Sequence, residues 1–146
     1  MKFPKISYDD LNKKPKQQEI YNFQKVSAVL VDYGFCTIKL SDDWKGADFL
    51  ADHFSEPMTL RVQLKGRWTI NKKYSGKEIY MCFPTLGQWC LVPHDYLVRL
   101  VGENSNSLNS KAWLENGEYD NKEPSAKLRA LLEPHILDGD WDSCIL

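Results

Sequence analysis

The chain of 146 residues has no apolar run approaching the roughly 18 residues needed to cross a bilayer; residues 26–31 are among its longest. Its opening, Met1-Lys2-Phe3-Pro4, starts no signal-peptide pattern, so a cytoplasmic protein without a membrane segment is expected. It has four cysteines, none in CxxC spacing, and three scattered histidines, which argues against a zinc site and for free, mostly buried thiols in a reducing compartment. Repeats and low-complexity stretches are missing as well. With 42% hydrophobic, 12% aromatic and 27% charged residues, the composition excludes disordered, collagenous and coiled-coil chains. The length suits one domain and is short for two.

The net charge of -1 hides an uneven distribution. Residues 61–77 carry six basic side chains and no acid, whereas residues 103–146 hold nine acids against four bases. Residues 1–15, rich in Lys, Pro and Asp, read as an arm, residues 16–102 as the core domain, and residues 103–146 as an acidic extension packed on that domain. Over residues 16–33, Phe23, Val26, Leu30 and Tyr33 follow helical spacing, and Gly34 stands where a left-handed cap would end the helix. Stepping back four residues from Phe23 gives Glu19, a carboxylate on the stripe that must face the domain.

Strands are expected over residues 35–40 and 47–54, with a polar turn over 41–46 between them. Residues 58–65 alternate cleanly, setting Met58, Leu60, Val62 and Leu64 on a core face and Thr59, Arg61, Gln63 and Lys65 on a polar one. Residues 78–83 and 88–92 form two further strands about a short connection, Pro93-His94-Asp95 caps a helix through Leu97, Leu100 and Val101, and residues 124–132 give a late helix. Trp89, Trp113 and Trp141 read as packing residues. The fold class is α/β on the border of α+β. A mixed sheet of about five strands is covered by an N-terminal helix, with further helices toward the C-terminus.

Asp48 opens the second strand, and Gln63 and Lys65 share a face of the third, so a hairpin pairing brings the three together. A carboxylate and a second oxygen suit Mg²⁺, which keeps water and phosphate oxygens in its remaining positions. A lysine beside it can hold or deprotonate an attacking water and steady the charge that develops on a phosphodiester. With a helix, then Gly46-Ala47-Asp48 entering a strand, then Val62-Gln63-Leu64-Lys65 on the next, the chain resembles the PD-(D/E)XK nuclease superfamily over roughly residues 16–101. The resemblance implies that Asp48 binds Mg²⁺ or Mn²⁺, that Gln63 is a second ligand, that Lys65 is catalytic, and that Glu19 joins from the helix. Gln63 departs from the usual Asp or Glu, and this Q-x-K variant is similar to that of Mrr-like restriction endonucleases.

After Lys65, the run 67–77 interleaves bases with Trp68 and Tyr74. Arg67, Lys72 and Lys73 are candidate phosphate contacts and Tyr74 a candidate stacking platform, Arg67 continuing the polar face of Gln63 and Lys65. The expected function is therefore metal-dependent endonucleolytic hydrolysis of DNA; the alternative is an inactive module of the same fold that binds nucleic acid or a protein. A chain this small has little room for a separate reading domain, so a homodimer or a partner subunit is also expected.

Overall fold

The computed structural model describes residues 1–140, excepting the side chains of residues 43, 44, 139 and 140; Trp141 and Cys144 lie outside the described residues. Helix α1, Pro15–Val31, begins on a proline, whose missing N–H costs nothing at the first helical position. Phe23, Val26, Val29 and Leu30 are buried along one side. Gly34, at φ +87°, ends the turn beyond it; an added Cβ would lie 2.6 Å from His53 Nε2, so both backbone and space require glycine. Tyr33, expected on the buried stripe, is exposed, because the helix has already ended.

Strands β1, Phe35–Trp44, and β2, Ala47–His53, are antiparallel. Between them only Lys45 and Gly46 turn the chain, at φ +53° and +86°, the two-residue pattern whose twist matches the strands it joins. The tight turn leaves residues 41–44 in the strand, which corrects the expected six-residue turn. Strand β3, Thr59–Leu64, pairs antiparallel with β2. Met58 precedes it and is exposed rather than in the core. The chain then leaves the sheet as β4, Trp68–Asn71, and returns as β5, Ile79–Thr85, parallel to β3. Leu86 and Gly87 make a second two-residue turn into β6, Gln88–Pro93. Helix α2, His94–Asn104, strand β7, Glu118–Asn121, helix α3, Ala126–Leu131, and strand β8, Ile136–Asp140, complete the order. The result is a mixed α/β fold with a six-stranded sheet, β1-β2-β3-β5-β6-β8, and a two-stranded ribbon, β4-β7.

Alternation along the central strands divides the core into two layers. On one side α1 packs Phe23, Val26, Val29 and Leu30 on Phe49, Ala51, Val62, Leu64, Cys82 and Trp89. On the other, Met81, Phe83 and Val92 meet Leu97 and Val101 of α2, Trp68 and Ile70 of the ribbon, and Leu128 near the C-terminus. Cys82 and Cys90 are free and belong to different layers. Burial pushes the Cys90 thiol up to about 12 and Cys82 well above its ordinary value, so both are apolar packing groups at neutral pH.

The acidic extension is woven into the fold. It supplies β7 to the ribbon and β8 to the edge of the main sheet. Arg67 meets Asp120 across the ribbon at 3.0 Å, and the Asn71 side chain donates to Glu118 at 3.3 Å, so the charge asymmetry of the sequence is spent partly within the chain. Two candidate nucleic-acid contacts are corrected here. Tyr74 is 1% exposed, its ring edge-on to His94 at 5.6 Å, so its faces cannot stack on bases. The Asn71 side chain accepts from the Lys73 N–H at 3.0 Å and caps the short 3-10 turn Lys72–Tyr74, which carries the ring inward. Arg67 does not continue the face of Gln63 and Lys65, because β3 ends at Leu64 and the chain bends at Gly66 and Arg67.

His94 was expected at a capping corner, but Asp95 directs its carboxylate to the Gly76 N–H at 2.9 Å rather than to the helix. The buried His94 ring accepts from the Asn71 N–H at Nε2, 3.1 Å, and meets Asp95 Oδ1 through Nδ1, 3.0 Å. That pattern needs the neutral ring protonated on Nδ1. Burial lowers the His94 pKa, more than Asp95 raises it. Above the ordinary histidine value of about 6.5 both folded and unfolded chains hold this ring neutral. Below that value the unfolded chain takes up a proton that the folded chain refuses, and stability falls by up to about 1.4 kcal/mol per pH unit. His135, also lowered by burial, adds the same sign. Urea denaturation between pH 8 and 5 should show this acid slope, reduced in His94→Gln.

Candidate functional site

Strands β2 and β3 pair up to Phe49 and Val62, and one further step in that register sets Asp48 opposite Gln63. There the ladder gives way to a side chain, as the Leu64 N–H donates to Asp48 Oδ2 at 2.9 Å. The next amide, on Lys65, points to the other neighbour and donates to Cys82 O of β5 at 2.9 Å. Consecutive amides of β3 are thus held from both sides, which fixes the backbone carrying Gln63 and Lys65 against the Asp48 carboxylate.

Asp48, Gln63 and Lys65 line one open cavity of about 350 Å³ at the end of α1, together with Glu19, Gln18, Asn22 and Tyr8. The three residues the sequence pairs by spacing are therefore neighbours in space, and Glu19 shares their cavity. Gln63 is 7% exposed and its Oε1 has no hydrogen-bond partner among the described residues. The polar face of β3 is consequently covered at this end. Asn22 is 5% exposed, and its Oδ1 likewise has no partner among the described residues. An unsatisfied buried acceptor costs about 1–3 kcal/mol. Both acceptors belong to residues that line one cavity beside two carboxylates, and together these oxygens are of the kind that suits a hard divalent cation. Among the described residues no group of three His, Cys, Asp or Glu side chains gathers to hold a metal.

The Glu19 carboxylate is exposed and accepts from Lys39 Nζ at 3.4 Å, so its cationic neighbour is Lys39 rather than Lys65. Lys39 also stands 5.3 Å over the Phe23 ring. Lys65 is half-buried and makes no ion pair among the described residues, which leaves its ammonium available to a ligand in the cavity. An adjoining cavity of about 780 Å³ shares Pro15, Glu19 and Asp48 with the first and adds Lys16 and Lys39.

Lys72 and Lys73 are exposed at the end of the ribbon, their ammonium groups over the rings of Trp113 and Tyr74 at 5.3 and 5.1 Å. Neither they nor Arg67 lines the Asp48 cavity. The basic groups beside the site are Lys16 and Lys39, which the sequence reading passed over because neither belongs to a run of bases. Asn22 and Tyr8 were also missed. Asn22 carried a signal, since it lies three residues past Glu19 and beside Phe23 in the helical stripe. Tyr8 carried none, being brought in from the expected arm by a short 3-10 turn, Tyr8–Leu11, whose Leu11 is buried. Among the described residues no helix is long and apolar enough to cross a membrane. Comparison with protein-family models, with curated proteins and with solved structures finds no match to this chain.

Proposed function

We propose that the chain is a metal-dependent endonuclease of the PD-(D/E)XK type that hydrolyses DNA phosphodiester bonds. The observation that carries this reading is the Asp48 carboxylate bonded to the amide between Gln63 and Lys65, with all three side chains on one cavity. Asp48 and Gln63 would hold Mg²⁺ or Mn²⁺, with Glu19 bordering the same space. When bound, the metal supplies Lewis-acid polarisation of a phosphodiester oxygen and acidifies water. Lys65 would hold the attacking water and stabilise the negative charge that grows on the phosphate oxygens. Lys16 lines the adjoining cavity, where it would meet a flanking phosphate of the same strand; Lys39 there is paired with Glu19.

Supercoiled plasmid and linear duplex DNA, each incubated with the purified protein and Mg²⁺ or Mn²⁺, test the reading. Cleavage is expected, lost on chelation and at least about a hundredfold slower in Asp48→Asn, which can still accept from the Leu64 N–H. Cleavage undiminished in Asp48→Asn, or absent with every metal and substrate, would end it.

A second reading is favoured by the neutral Gln63: a module of this fold that binds nucleic acid or a protein partner without cutting. Calorimetric titration with Mg²⁺ and Mn²⁺ separates the two. No metal binding together with salt-dependent DNA binding selects the module.

A further inference from the structure

We propose that Asn22 is a ligand of the divalent cation and that Tyr8, from the segment preceding α1, is the positioning residue that turns the Asn22 amide oxygen into the site. The inference deepens the reading above and rests on it. Glu19 borders the cavity too, but its carboxylate is exposed and engaged with Lys39. Asn22, one helical turn further in, is 95% buried by contrast, and its Oδ1 has no partner among the described residues. Its Nδ2 donates to the Tyr8 hydroxyl oxygen at 3.4 Å, which leaves Oδ1 as the end of the amide open to another partner. The Tyr8 ring is itself placed by the Tyr21 ring of α1, at 5.5 Å between centroids.

The chemistry of the cavity decides what Oδ1 is for. Gln63 Oε1 is the second buried acceptor without a partner, and Asp48 adds a carboxylate. Two neutral carbonyl oxygens and a carboxylate are the donor atoms a hard cation takes, whereas an anionic group would meet repulsion from all three. Asn22 in this role also accounts for a neutral Gln63, since two amide oxygens from different elements supply the coordination that a second carboxylate would otherwise give. The residues before α1 then form a wall of the site, through Tyr8.

Binding of Mn²⁺ to the full chain, followed by electron paramagnetic resonance of the free ion, tests this without reference to activity. Asn22→Ala should weaken Mn²⁺ binding about 10–100-fold, and Asn22→Asp, which places a charged oxygen at the same point, should bind more tightly than the native chain. Tyr8→Phe should weaken binding several-fold, but cause no further loss when combined with Asn22→Ala, because its effect passes through the amide. A purely structural role for Tyr8 would instead give independent losses. Should Asn22→Ala not fold, Asn22→Asp and Tyr8→Phe carry the comparison. Unchanged Mn²⁺ affinity in Asn22→Ala, with loss in Asp48→Asn, overturns the assignment of Asn22 and leaves the proposed function standing. No Mn²⁺ binding by the native chain, with or without DNA, overturns both.

Discussion

Lys65→Ala is expected to lower DNA cleavage by about 10²–10⁴-fold, the range over which a positioned proton-transfer or charge-stabilising group acts. The fold should be untouched. What β3 needs from this residue is its backbone N–H, which bonds Cys82 O at 2.9 Å, and alanine keeps that bond. The side chain makes no ion pair among the described residues, so its removal strands no buried charge. Lys65→Arg should restore little, since the larger, planar guanidinium cannot place a compact ammonium at the same point beside the water and the phosphate. The measurement is single-turnover cleavage of a labelled duplex beside thermal unfolding of each variant. Cleavage by Lys65→Ala within a factor of a few of the native rate would remove Lys65 from the mechanism, and a large drop in melting temperature would assign it to the structure.

Phe49→Ala should cost about 3–5 kcal/mol of stability, as expected for truncating a fully enclosed phenylalanine. The ring is 0% exposed and meets Phe23 edge-on at 5.2 Å, and Val62, Leu64 and Trp89 belong to the same layer. Phe49 follows Asp48 on β2, while Phe23 follows Asn22 on α1, so this aromatic contact ties the two elements that build the cavity. Loss of Mn²⁺ binding should therefore accompany the loss of stability, and urea denaturation with parallel Mn²⁺ titration would show both. Ile38→Ala, at a position 50% exposed on β1, is the control and should change stability by no more than about 0.5 kcal/mol. A comparable loss in the two variants would mean that the α1 layer does not carry the site.

The amino-acid sequence determined the local elements and the closest part of the candidate site, because both rest on short-range periodicity. The stripe of Phe23, Val26 and Leu30 defined α1 and its buried side, and Gly34 ended it through a conformation that other residues avoid. The alternation Val62, Gln63, Leu64, Lys65 placed the polar pair of β3, and a hairpin between adjacent strands was enough to bring in Asp48. Tertiary structure decided what depends on partners distant in sequence. Whether the bases of 67–77 face solvent turned on β7, some fifty residues later, which pairs with β4 and meets Arg67 through Asp120. Tyr74 looked like a stacking ring only until the Asn71 cap and the packing of His94 turned it into the core. Asn22 read as one more polar helix residue, because no sequence period distinguishes an asparagine covered by Tyr8 from one in water. Burial converts such a side chain from a solvated group into an unsatisfied acceptor, and the hydrogen-bond partner it meets here, Tyr8, lies fourteen positions away in the sequence.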